Sequence, residues 1–170
     1  MITHDTKIRV WYKHTDQMGF VHHSNYICYY EEARSDLMRS MGLSYADMER
    51  KGIIMPILEV QSVYKRPAFF DDCLTVRILL REMPTARIRF EYEVYNSQGE
   101  LLNTGMTTLG FLHADTHRPT RAPQWFVEAL AEAMSRGCTL FGSRRSDNGL
   151  RPFVFVSLRL SFWQETCAGT

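Results

Sequence analysis

The sequence holds little that would anchor, cross-link or strongly charge the chain. No apolar run approaches the ~20 residues that a membrane-spanning helix needs, and the segment Met1 to Arg9 lacks the apolar stretch of a signal peptide. Cysteine is sparse: Cys28, Cys73, Cys138 and Cys167 stand far apart, with no CxxC pair. That spacing carries no dithiol or zinc motif. In the absence of a secretory signal it points to reduced thiols in the cytoplasm, not to a disulfide framework. Neither sign of charge is in excess. Lys and Arg number 20 against 19 Asp and Glu, a formal net charge of +1, so nothing draws the chain generally to nucleic acid or to an anionic membrane. A phosphate must therefore be met by a local basic patch. Internal repeats and low-complexity linkers are also missing.

What is present is a core-forming pattern. Hydrophobic residues make up 45% of the 170 residues, which suits one folded domain and excludes disorder over most of the length. Residues Lys7 to Lys13 alternate, with Ile8, Val10 and Tyr12 on one face, and predict a strand. Ser24 to Met41 has helical spacing through Tyr26, Tyr30, Ala33, Leu37 and Met41; Ser24 and Asn25 are candidate caps and Gly42 a candidate stop. Ser44 and Asp47 form a capping-box pattern for a short helix ending at Gly52. Strands are then expected over Ile54 to Tyr64, Leu74 to Arg81, Arg87 to Val94 and Leu101 to His113, with breaks at Pro67 and Asp71-Asp72 and a turn at Asn96 to Gly99. Pro123 opens a helix predicted to reach Met134. A run of antiparallel strands with one major helix indicates the α+β class. The domain is expected to cover residues 1–135. Residues 136–170 read as an extension: a Gly-, Ser- and Arg-rich loop, Gly137 to Gly149, then an alternating stretch, Phe153 to Phe162, that suits an edge strand or a partner contact.

The densest cluster of unusual residues is HTDQMGFVHHSNY, His14 to Tyr26, between the first strand and the long helix. A helix start offers unpaired N–H groups and a partial positive charge. Acyl transfer needs such donors aimed at the oxygen that becomes negative, and a nucleophile or base beside the carbonyl carbon. Asp16 can supply the carboxylate and the amides of Phe20 to His23 the donors, with Gly19 letting the backbone bend where a side chain would clash. By spacing alone the same Asp and Gly also read as an ordinary turn and cap. His14, His22, His23 and Asp16 raise the question of a metal site, but no fixed-spacing ligand pair such as HExxH is present, and no metal is expected.

The string YKHTDQMGFVHHSNYICYYEEAR resembles the signature of the hotdog-fold thioesterases related to 4-hydroxybenzoyl-CoA thioesterase and to the YbgC-type acyl-CoA thioesterases, through Tyr12, Thr15-Asp16, Gly19, Val21, His23, Asn25-Tyr26, Glu31 or Glu32, and Ala33-Arg34. VYKRPAFFDDCLTV, Val63 to Val76, is a second matching segment. The resemblance spans roughly Lys7 to Ala133 and implies a long helix wrapped by a curved antiparallel sheet, two such sheets joined in a homodimer, and often a homotetramer. It implies Asp16 as the catalytic acid, acting as nucleophile or general base, and the amide of His23 as the group polarising the thioester carbonyl, with the backbone of Gly19 and Val21 beside it. A His at position 23 matches the YbgC-type branch, and its imidazole is a catalytic candidate that would orient the water or hydrogen-bond the acyl group; a residue that only caps or packs at the helix start is the alternative.

The expected substrate is an acyl thioester of coenzyme A or of acyl-carrier protein, so coenzyme A would be substrate and no cofactor is needed. Lys65, Arg66, Arg87 and Arg89 are candidates for its phosphates, although Arg87 and Arg89 also fit a solvated strand face opposite Glu91 and Glu93. Tyr26, Tyr30, Met38 and Met55 are candidates for an acyl pocket, and equally for plain core. Other hotdog chemistry, hydration or dehydration of acyl thioesters, would need an acid/base pair in a different motif. A non-catalytic acyl-CoA-binding module remains compatible with the fold.

Overall fold

The computed structural model describes residues 1–140; the stretch Phe153 to Phe162 and most of Gly137 to Gly149 lie outside the described residues. In chain order the elements are β1 (Ile2–Arg9), a 3-10 turn (Tyr12–His14), α1 (Asn25–Ser40), α2 (Tyr45–Arg50), β2 (Ile53–Ile54), β3 (Ile57–Tyr64), β4 (Cys73–Leu80), β5 (Arg87–Tyr95), β6 (Leu101–His113), β7 (Pro119–Thr120) and α3 (Gln124–Leu140). The pairing is antiparallel throughout, in the order β1-β4-β5-β6, with β2, β3 and β7 all joined to the long β6. Helix α1 lies across one face of this curved sheet, which is the α+β hotdog arrangement expected.

Alternation decides which face is covered. On β5, Ile88, Phe90, Tyr92 and Val94 are buried, while Arg87 and Arg89 are exposed. Helix α1 answers with Tyr26, Tyr29, Tyr30, Ala33, Leu37 and Met38, all buried. Tyr30 stacks on Tyr92 with ring centroids 4.3 Å apart and planes 12° from parallel, a contact worth about 0.5–1.5 kcal/mol beyond its area. Gly105 on β6 makes room for that ring: a Cβ there would overlap the Tyr30 phenol. The Tyr30 hydroxyl donates to Asn103 Oδ1, Asn103 Nδ2 donates to Ser62 Oγ at 2.9 Å, and Ser62 lies 2.9 Å from the Tyr30 oxygen. With two directions set by the amide, Ser62 must donate to Tyr30, closing a three-membered ring of hydrogen bonds that ties β3, α1 and β6 together. Next to it, the buried Arg34 guanidinium reaches Tyr92 Oη at 3.1 Å and Thr107 Oγ1 at 3.4 Å.

Several boundaries differ from the sequence reading. The first strand is Ile2–Arg9, not Lys7 to Lys13. Its inward His4 and Thr6 are polar, and both reach the α1 carboxylate of Asp36, at 2.8 and 2.9 Å, so a polar stripe stands where alternation looks for apolar residues. Tyr12 leaves the strand in the 3-10 turn and is exposed. The expected strand Ile54 to Tyr64 splits into β2 and β3 at Met55-Pro56, because proline interrupts the ladder. Ser24 stands at the N-cap of α1 without a side-chain capping bond. Its hydroxyl pairs with His22 Nδ1 at 2.8 Å, and Asn25 Nδ2 donates to the His14 carbonyl at 2.8 Å. Gly42 closes α1 at φ +72°, and Ser44 Oγ accepts from the Asp47 amide at 3.0 Å, as the patterns predict. Helix α3 continues through Leu140, past Met134 and past Gly137, where a loop was expected.

Candidate active site

The segment between β1 and α1 folds as a small hairpin laid against the helix start. Thr15 bridges Val21, the Asp16 amide donates to the Phe20 carbonyl at 3.1 Å, and the Gly19 amide donates to the Asp16 carbonyl at 2.9 Å. Gly19 is needed for its φ of +82°; a Cβ there would meet nothing within 4 Å, so its role is conformation and not the avoidance of a clash. One carboxylate oxygen of Asp16, Oδ1, accepts the Met18 amide at 2.8 Å. This aims the half-buried carboxylate while leaving Oδ2 without a protein donor among the described residues.

His14 anchors the hairpin. Its carbonyl accepts from the His22 amide at 2.9 Å and from Asn25 Nδ2 at 2.8 Å. Its Nδ1 accepts from the Trp11 amide at 3.2 Å and faces the Tyr29 hydroxyl at 2.9 Å. Desolvation by burial, then the Lys13 charge, holds the His14 pKa below its ordinary value, in keeping with a neutral ring whose Nδ1 is an acceptor. His14 is thus a structural fastening.

The amides proposed for the oxyanion, Gly19 and Phe20 to His23, divide by whether a carbonyl already takes them. Gly19 N–H is spent on Asp16, and Val21 N–H is spent on the Ala68 carbonyl at 2.8 Å, so neither is a free donor. The His22 N–H is spent on the His14 carbonyl at 2.9 Å; the Phe20 amide has no protein acceptor among the described residues, and neither has the His23 amide at the helix start. Its peptide plane is nonetheless fixed, because the His22 carbonyl in that plane accepts the Asn25 amide at 3.0 Å. Sequence reasoning named this group of amides but could not see that the second loop, Arg66 to Asp72, takes one of them. That loop is drawn in by Phe20 bridging Phe69 and by the Val10 and Asp71 amides, which donate to Asp72 and Val10.

The other expected residues divide by position. Tyr26 and Tyr30 are 2% and 0% exposed and belong to the core, not to the wall of a cleft; burial pushes the Tyr26 hydroxyl up to about 12. Lys65 and Arg66 follow β3 at the Tyr64 end, beside the helix start; the Arg66 guanidinium pairs with Glu100 at 2.5 Å. Arg87 and Arg89 pair with Gly110 and Thr108 on β6, whereas Tyr64 pairs with Asn103. Seven residues of β6 at ~3.4 Å each put Arg87 roughly 24 Å along the sheet from the Tyr64 end. A hollow of about 260 Å³ opens on the face of the sheet away from α1, lined among others by Val63, Leu79, Arg89, Glu91, Thr104 and Met106. It contains neither Asp16 nor His23. The His22 and His23 rings lie 4.1 Å apart. Among the described residues no three His, Cys, Asp or Glu side chains gather to hold a metal ion.

A residue that sequence reasoning passed over is Tyr64. Its hydroxyl donates to the His23 carbonyl at 3.0 Å, and its ring meets Tyr26 edge-on at 5.3 Å. Its place in the second matching segment was the available signal.

The Asp16 hairpin and the His23 amide thus stand together at the start of α1, the helix that lies across the curved antiparallel sheet. The chain belongs to the thioesterase-like superfamily, whose family model matches residues 10–130. A solved structure of a DHNA-CoA thioesterase from Staphylococcus aureus superposes with a TM-score of 0.73 at 36% identity, covering 82% of this chain and 93% of that one. A 1,4-dihydroxy-2-naphthoyl-CoA hydrolase of Thermosynechococcus vestitus is 28% identical over 138 residues, 78% of this chain and 94% of the relative. The acyl-CoA thioester hydrolase YbgC of Escherichia coli is 28% identical over 96 residues, 56% of this chain and 72% of that protein.

Proposed function

We propose that the protein hydrolyses acyl-CoA to the free acid and coenzyme A, with Asp16 as the reacting carboxylate. The observation that carries this is the pairing of a carboxylate with an unspent donor at a helix start: Asp16 is aimed by Met18, and the His23 amide, two residues before α1, has no protein acceptor among the described residues. A thioester carbonyl oxygen on the His23 N–H develops its negative charge at a donor already held in place. Asp16 then acts in one of two ways. As nucleophile, its oxygen bonds to the carbonyl carbon, the C–S bond breaks, the thiolate departs, and water opens the resulting anhydride. As base, it takes the proton of a water that attacks the carbonyl, and that proton passes to the departing thiolate. Either route needs only water, so no cofactor enters the proposal.

Lys65, which follows Tyr64 and whose amide donates to the Leu102 carbonyl at 2.8 Å, is the residue we propose for a coenzyme A phosphate. Acyl-carrier protein carries the same pantetheine thioester and is the alternative donor. Among the described residues strand β3 pairs on one side only, and Ile57, Leu58, Val60, Val63 and Tyr64 are 38–57% exposed there. An open apolar edge is a pairing template, which supports a homodimer built by β3 meeting its copy; the tetramer would be a pair of such dimers. The free thiols at Cys28 and Cys73 suit a reducing compartment, and the cytoplasm is the location we propose. Among the described residues no helix is long and apolar enough to cross a membrane.

The test is thiol release across acyl-CoA chain lengths by wild type and Asp16→Asn. The expected result is a loss of about a thousandfold or more in kcat at an unchanged oligomeric state. Equal rates for the two proteins would remove Asp16 from the reaction. Interconversion of enoyl-CoA and 3-hydroxyacyl-CoA without thiol release would assign hydration instead.

A further inference from the structure

Among the described residues the His23 amide has no protein acceptor, while both carbonyls around it are held. The peptide plane that contains it is fixed by Asn25 on the His22 oxygen at 3.0 Å. The next plane, joining His23 to Ser24, is fixed on its oxygen by the Tyr64 hydroxyl at 3.0 Å. The helical partner of that same oxygen, the Tyr26 amide, stands back at 3.4 Å, so Tyr64 makes the shorter bond. Tyr64 is not on the helix or the hairpin. It ends β3, an edge strand among the described residues, and its ring is seated edge-on against Tyr26. Fixing ψ of His23 from outside the helix limits rocking of the first turn, and a donor on one peptide oxygen strengthens the hydrogen-bonding groups linked to it. We infer that Tyr64 is a positioning residue for thioester hydrolysis: through the His23 carbonyl it holds the neighbouring His23 N–H in the direction that receives the oxyanion, and it couples that amide to the edge strand. The inference rests on the hydrolysis proposed above.

Tyr64→Phe keeps the ring and its contact with Tyr26 and removes only the hydroxyl. In the full-length protein, assayed with the fastest-hydrolysed member of an acyl-CoA panel, Tyr64→Phe should lower kcat about tenfold, below the 10²–10³ for loss of an oxyanion donor itself. KM should stay within about twofold and the thermal midpoint should barely move. A second readout separates positioning from general loosening. With the same acyl-CoA carrying ¹³C at the carbonyl, bound to Asp16→Asn, the infrared carbonyl band should lie below that of the free thioester; in Asp16→Asn with Tyr64→Phe it should return toward the free value. Unchanged kcat with superimposable bands overturns the inference and leaves the hydrolysis proposal standing. A fall in kcat accompanied by a matching fall in thermal midpoint and no band shift also overturns it, since that is damage to the fold. If wild type frees no thiol from any panel member, the hydrolysis proposal fails and this inference with it.

Discussion

Gly105 allows the packing of the sheet on α1 to be tested with one methyl group. In Gly105→Ala the new Cβ falls within the Tyr30 phenol. The phenol has little freedom to retreat, because one face stacks on Tyr92 at 4.3 Å and its oxygen is shared with Asn103 and Ser62. Overpacking of a filled core costs about 1–3 kcal/mol. Tilting the ring would also forfeit much of a stack worth ~0.5–1.5 kcal/mol and strain hydrogen bonds worth about 1 kcal/mol each. A destabilisation of about 3 kcal/mol follows, which for a domain of this size lowers the thermal midpoint by roughly 10 °C. Urea unfolding, followed by far-ultraviolet circular dichroism and by fluorescence, measures it, with the denaturant slope unchanged. A companion change, Tyr30→Leu, removes the atoms that the methyl strikes, so the double variant should be less unstable than the sum of the singles. Gly105→Ala within about 0.5 kcal/mol of wild type would refute the reasoning.

Two further predictions concern the site's surroundings. Burial holds the His14 pKa below its ordinary value, so the folded chain binds fewer protons than the unfolded one as pH falls. The stability that neutral His14 provides is therefore complete above about pH 6.5 and is lost as pH drops from there through the folded value. His14→Asn, which retains an acceptor for the Trp11 amide, should show a shallower decline in thermal midpoint below that pH; parallel declines would rule the mechanism out. Val60→Lys places a charge on the edge of β3 and should leave a monomer in sedimentation analysis where wild type sediments as the proposed dimer; an unchanged sedimentation coefficient would refute an interface at β3.

Much of this architecture was legible in the residues. The inward Ile88, Phe90, Tyr92 and Val94 and the helical spacing from Tyr26 to Leu37 needed only their periods to be recognised. The first strand was misplaced because His4 and Thr6, turned inward to Asp36, do not look like core positions. At the site, Asp16 and His23 stood out by residue type and by resemblance. The exclusion of Gly19 and Val21 as donors did not, because it depends on Ala68 and Asp16 carbonyls brought near by the fold. Tyr64 was hidden for the same reason: its partner lies 41 positions away.

The cyclic arrangement of Tyr30, Ser62 and Asn103 has a consequence for assembly. Sliding β3 by one position along β6 would turn Val63 inward in place of Ser62, stranding both a phenol and an amide where water has no access. The outermost strand is thereby clamped to a single alignment before any neighbour arrives. Whatever docks against it meets one fixed ladder of backbone groups, so mispaired aggregates are disfavoured from inside the fold as well as at its surface.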